Sequence, residues 1–188
     1  MQYLRRFTWY IASRLIIICI LGGMLVCGFF MCLNLANVYI ILTEGMEKRV
    51  EVILTREDAQ ELNKCFHYDF LSNDGALAGA FNGASVYGDY NITDYDYSLD
   101  IEKLWAWPWD NYATCTVVEE VKDITGRVVS NRTGEVPDAV PKWQGGRYDI
   151  TLSKENGLWK IRGMQQTAII VEPDSEEEAT ATQEPNET

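Results

Sequence analysis

RYDITLSKENGLWKIR, residues 147–162, is the stretch that decides the fold. Tyr148, Ile150 and Leu152 alternate with Asp149 and Thr151, and a second strand-like run, Leu158 to Arg162, follows Ser153-Lys154-Glu155-Asn156-Gly157. Asn and Gly both tolerate positive φ, so Asn156-Gly157 between two such runs predicts a tight β-hairpin. Working backwards, the period of two returns from Tyr90 onwards. Tyr95, Tyr97, Leu99 and Ile101 alternate with Asp94, Asp96, Ser98, Asp100 and Glu102, the pattern of a half-buried strand. Residues 113–121, rich in β-branched side chains, predict a second strand, with Pro108 and Asp110-Asn111 marking the bend between the two. A third strand is expected across Gly126, from Arg127 to Ser130, and a loop holding Pro137 and Pro141 leads on to Trp143.

Before the strands the period is helical. Val38, Ile41, Leu42, Met46, Val50 and Ile53 fall at steps of three and four, and Thr55 followed by Asp58 reads as the cap of a second helix. That helix carries Ala59, Leu62, Cys65 and Phe66 on one face and is expected to end near Tyr68; residues 71–90 read as loop or short helical turns. Helices first and strands afterwards predict an α+β domain with a curved antiparallel sheet packed on the helices.

Further upstream the material changes. No charged residue stands between Arg14 and Glu44, and LIIICILGGMLVCGFFMCLNL, residues 15–35, is apolar except for Asn34. About 20 residues at about 1.5 Å each match a hydrocarbon core of about 30 Å. A cleaved signal peptide has a shorter apolar core ending in small residues, whereas Phe29, Phe30, Met31 and Leu33 stand here, so an uncleaved signal anchor is expected. The chain therefore divides into a cytoplasmic N-terminus (1–14), a transmembrane helix in contact with lipid (15–37), an extracytoplasmic domain (38–171) and an acidic tail (172–188) expected to be disordered. Arg5, Arg6 and Arg14 precede the span, which places the N-terminus inside by the positive-inside rule. Trp9 and Tyr10 suit the inner interface and Tyr39 the outer one.

The closing pattern Tyr148 to Ile161, after two helices, a strand and a long hairpin region, resembles the C-terminal half of the NTF2-like superfamily of cone-shaped α+β domains. That resemblance implies a sheet closed by a tight turn and a Trp-Lys-Ile strand, and it spans roughly residues 44–166. One N-terminal span followed by one outer domain is also similar, in architecture only, to VirB8-type components of secretion and conjugation machines. In those the domain is a non-catalytic assembly module.

The resemblance leaves function to the residues, because this fold hosts enzymes, carriers and scaffolds alike. His67 with Asp69, or Asp94, Asp96 and Asp100, are the groups available for acid/base work. The strand acids point away from the apolar face, and His67 stands at a helix end, so no catalytic, cofactor-binding or metal-binding residues are expected. Three cysteines lie in the span; Cys65 and Cys115 are read as buried thiols or a single disulfide. With 16 basic against 28 acidic residues and no basic stripe, nucleic acid is excluded as a partner.

Trp105, Trp107 and Trp109 are the most unusual feature. Alternation puts them on one side, where they either fill the core, the first expectation, or form an aromatic surface for a partner or ligand together with Tyr95 and Tyr97. The function expected is a membrane-anchored, non-catalytic scaffold of a cell-envelope complex, contacting other envelope proteins or itself. The alternative is an extracytoplasmic small-ligand sensor using the cone cavity, which needs an open interior with convergent polar groups.

Overall fold

A single helix, α1 (Gln2–Thr55), carries the apolar run straight into the domain without a break. Its 54 residues extend for about 81 Å at about 1.5 Å per residue. The computed structural model describes residues 2–170, with side chains from residue 9 onwards, so the acidic tail lies outside the described residues. From Trp9 to Asn37 the side chains of α1 are mostly exposed, and the helix is long and apolar enough to cross a membrane. At Val38 the character changes. Val38, Leu42, Met46 and Val50, one face at steps of four, are buried, as are Val52, Ile53 and Leu54.

The end of α1 corrects the expected cap at Thr55. Thr55 is still helical, its hydroxyl donating back to the Glu51 carbonyl at 2.8 Å, and Arg56 leaves the helix in the left-handed region with φ 60°. The Arg56 guanidinium holds that conformation by donating to the carbonyls of Gly88 and Tyr90. Asp58 is the cap instead, accepting from the Gln60 N–H ahead of a 3-10 turn at Ala59–Glu61 and the short helix α2 (Leu62–Cys65). The second helix therefore stops before the expected Tyr68. Phe66 turns extended, bridges Ile161, and His67 N–H donates to the Ile161 carbonyl at 2.8 Å. Two further short helices, α3 (Tyr68–Asn73) and α4 (Gly75–Asn82), take up much of the stretch read as loop or short helical turns.

Four antiparallel strands follow in the order of the sequence: β1 (Tyr90–Trp105), β2 (Tyr112–Val128), β3 (Gly145–Glu155) and β4 (Leu158–Ile170). The hairpin between β3 and β4 turns on Asn156 and Gly157, both at positive φ, as the sequence predicts. The expected third strand at 127–130 does not exist separately. β2 runs on through Gly126, which pairs with Ile92 and sits so close to β1 that a Cβ there would lie 2.9 Å from the Asn91 carbonyl oxygen. What looked like a break is a crossing point that only glycine allows.

One face of the sheet packs on the helices and the other meets water. Cys115, Val117 and Val121 of β2, Tyr148, Ile150 and Leu152 of β3, and Trp159 and Ile161 of β4 join the buried face of α1 and Phe66 in one core. Asp94, Asp96 and Asp100 are exposed on the opposite face, where the sequence put them. Arg147 pairs with Glu102 across that face, and Thr116 donates to Asp149 at 2.8 Å. The result is an α+β domain with a long N-terminal apolar helix and a four-stranded antiparallel sheet.

Candidate functional site

Two places in the domain depart from the pattern of apolar inside and polar outside. The first is the tip of the β1–β2 hairpin. Trp105, Trp107 and Trp109 are 54%, 38% and 67% exposed, which overturns the expectation that they fill the core. Only Trp105 belongs to a strand; the chain leaves the ladder at buried Ala106, and Pro108 carries the turn. The rings nevertheless cluster: Trp105 and Trp107 stack with centroids 6.3 Å apart, and Trp109 lies tilted against Trp107 at 5.6 Å. The Asn34 amide of α1 reaches this turn, donating to the carbonyls of Trp107 at 3.3 Å and Pro108 at 3.0 Å.

Tyr95 and Tyr97 do not join that cluster. They sit half-buried on the helix-facing side of β1, eight residues or more from Trp105, or at least about 26 Å along the strand. The Tyr97 hydroxyl is buried with no hydrogen-bond partner, and burial, reinforced by the charge of Glu119, pushes its pKa well up.

The second place lies around Glu119. β2 sends Ala113, Cys115, Val117, Glu119 and Val121 to the covered face, so a carboxylate occupies a core position and is fully buried. Its Oε1 accepts from the indole N–H of Trp143 at 3.2 Å, while Oε2 has no hydrogen-bond partner. Burial raises the Glu119 pKa, and the nearby Arg49 charge and the Trp143 hydrogen bond only partly oppose this. Arg49 is itself committed: its Nε donates to Asp74 Oδ2 at 2.7 Å and Nη2 to Oδ1 at 3.1 Å. Burial alone would lower the Arg49 pKa, but Asp74, with Glu119 and Tyr148, holds it above the ordinary value. Asp74 Oδ1 also caps α4 by accepting from the Ala76 and Leu77 N–H groups. This buried pair thus locks α1 to α4.

Beside this network opens a cleft of about 810 Å³, bounded by Arg49 and Ile53 of α1, the start of α4, Tyr87, Trp143, and Tyr148, Met164 and Gln166 of the sheet. Tyr87 stacks on Trp143 at 5.8 Å and donates its hydroxyl to the Lys142 carbonyl, which fixes one aromatic wall. Gln166 reaches the Tyr148 hydroxyl at 3.5 Å on the other wall. Burial pushes the phenols of Tyr87 and Tyr148 up to about 12, so both stay neutral donors at ordinary pH.

The remaining sequence candidates have structural work. His67 does not close a helix; it opens α3, its Nδ1 accepting from the Asp69 N–H at 3.3 Å. Cys65 and Cys115 are free, buried thiols, the latter raised to about 12 chiefly by burial. Among the described residues no group of three His, Cys, Asp or Glu side chains could hold a metal ion. Glu119, Arg49, Asp74 and Trp143 were not singled out from sequence. For Glu119 the signal was there: an acid exactly in step with Cys115, Val117 and Val121.

No family model matches the chain, and neither a curated protein nor a solved structure matches it.

Proposed function

We propose that this is a membrane-anchored, non-catalytic ligand-binding protein, an NTF2-like domain held outside the cytoplasm by α1 and using its open cleft to sense or carry a small molecule. The observation that carries this reading is the cleft itself, which is open and has convergent polar groups and an aromatic wall whose Trp143 is hydrogen-bonded to the buried Glu119. An apolar body would lie against Tyr87, Trp143 and Met164. A polar end would meet the Tyr148 hydroxyl and the Gln166 amide. The proposed orientation, N-terminus inside, rests on the basic residues before the apolar run.

The test is a thermal-shift screen of the full-length protein in lipid nanodiscs against small aromatic and amphipathic compounds. Compounds that raise Tm should lose their effect in Gln166→Ala and Tyr148→Phe, two changes at the cleft wall. A screen with no stabilising compound, or hits indifferent to both changes, would sink the reading. The scaffold reading stands second, because three large exposed aromatic rings are what a contact surface is made of. Crosslinking in native membranes that captured specific proteins through the domain would favour it instead.

A further inference from the structure

The six residues from Leu104 to Trp109 carry no charge, and with nearby Tyr112, itself exposed, they make an aromatic knob on the end of the β1–β2 hairpin. Its height is fixed by Asn34, whose amide holds the turn at the Trp107 and Pro108 carbonyls. Asn34 is 19 residues beyond Leu15, or about 29 Å along the helix, the thickness of a hydrocarbon core. It is also ten residues, or about 15 Å, short of Glu44, the first charge after the apolar run. The knob therefore stands beside the outer end of the apolar segment and well below the charged part of α1.

We propose that this hairpin is an interfacial foot, seating its indole rings at the headgroup level of the same bilayer that α1 crosses; the inference rests on α1 being a membrane span. Indoles favour that level because the ring is apolar and its N–H still finds a partner there. The backbone of the tip suits a zone poor in water. The Asp110 N–H donates to the Trp107 carbonyl, Asn34 serves the Trp107 and Pro108 carbonyls, and Pro108 has no N–H to satisfy. The same bonds satisfy the N–H donors of the Asn34 amide, which would otherwise be costly at the edge of hydrocarbon. A protein partner would have to reach the rings at a depth where lipid surrounds the helix.

The experiment uses the full-length protein carrying Trp9→Phe, which removes the only other tryptophan near lipid, in phosphatidylcholine vesicles with brominated acyl chains. Trp143 and Trp159 belong to the domain, so quenching by bromine reports on the hairpin. The expected result is a blue-shifted emission, most of it quenched, with bromines near the carbonyl end more effective than bromines near the methyl end. Changing Trp105, Trp107 and Trp109 to Ser on top should abolish the quenching while far-UV circular dichroism is unchanged. If the triple variant fails to fold, the depth dependence in the Trp9→Phe protein alone decides. Unquenched emission from protein that resists alkaline extraction would overturn the foot and leave the anchor standing; release on alkaline extraction would overturn the anchor and with it the foot. Rings unquenched in pure lipid yet shielded from acrylamide in native membranes would assign the hairpin to a protein contact and overturn the proposal.

Discussion

Glu119 is a carboxyl group that the fold keeps away from water, and its consequence is a pH dependence of known sign. In the folded protein its pKa is raised, chiefly by burial, while in the unfolded chain it returns to about 4.3. Folding therefore binds a proton above that value, and stability is full below about pH 4.3 and falls as pH rises towards the folded pKa. Glu119→Gln, which keeps an acceptor for Trp143, should remove that fall, so urea unfolding should find the variant more stable than the parent at neutral pH and equal to it near pH 4. An unchanged difference across the range would mean that Glu119 is ionised in the fold. Arg49 tests the other half of the network. Arg49→Met strands Asp74 as a buried, uncompensated charge and should cost about 3–5 kcal/mol, whereas Arg49→Met with Asp74→Asn should recover much of that, since Asn still caps α4. This network was only half legible in the sequence. An acid in phase with a buried strand face can be read from alternation, but its partners lie 70 residues upstream on α1 and in a loop, a distance no local pattern spans.

At the scale of elements, what could be read was whatever rests on short-range periodicity. The Asn156-Gly157 hairpin, the alternation of β1 and the continuity of α1 are properties of neighbouring residues, and each is present. The errors arose where tertiary contacts set local structure. Gly126 resembled a turn, yet β2 passes through it because β1 approaches too closely for a side chain. Gly126→Val should therefore destabilise the domain by about 1–3 kcal/mol through forced displacement of Asn91 and Ile92, measured by chemical unfolding. A neutral result would show that β1 and β2 can move apart there freely. Likewise the tryptophans keep the alternation of a strand in sequence, but the ladder ends at Trp105 and Pro108 lies in the turn beyond it, so all three rings stand exposed at the hairpin tip.

Across the whole molecule, α1 is both the apolar helix long enough to cross a membrane and the central pillar of the core. Val38, Leu42, Met46, Val50, Ile53 and Leu54 are each almost fully buried, and side chains of this kind contribute roughly 1.5–3 kcal/mol apiece. That is comparable with the roughly 5–15 kcal/mol that separates a folded domain from its unfolded chain. A chain beginning at residue 36 should stay folded, with its tryptophan knob exposed and prone to self-association. One beginning at residue 56 should lack cooperative unfolding altogether, as circular dichroism melts would show; a cooperative melt would mean the sheet can close without its pillar. The cleft at Arg49 lies about 22 Å along the same helix from Asn34. With no joint in α1 between the two, the domain is the head of a stiff shaft: on the proposed membrane span, a bilayer thick or thin enough to tilt α1 swings the mouth of the cleft through the same angle.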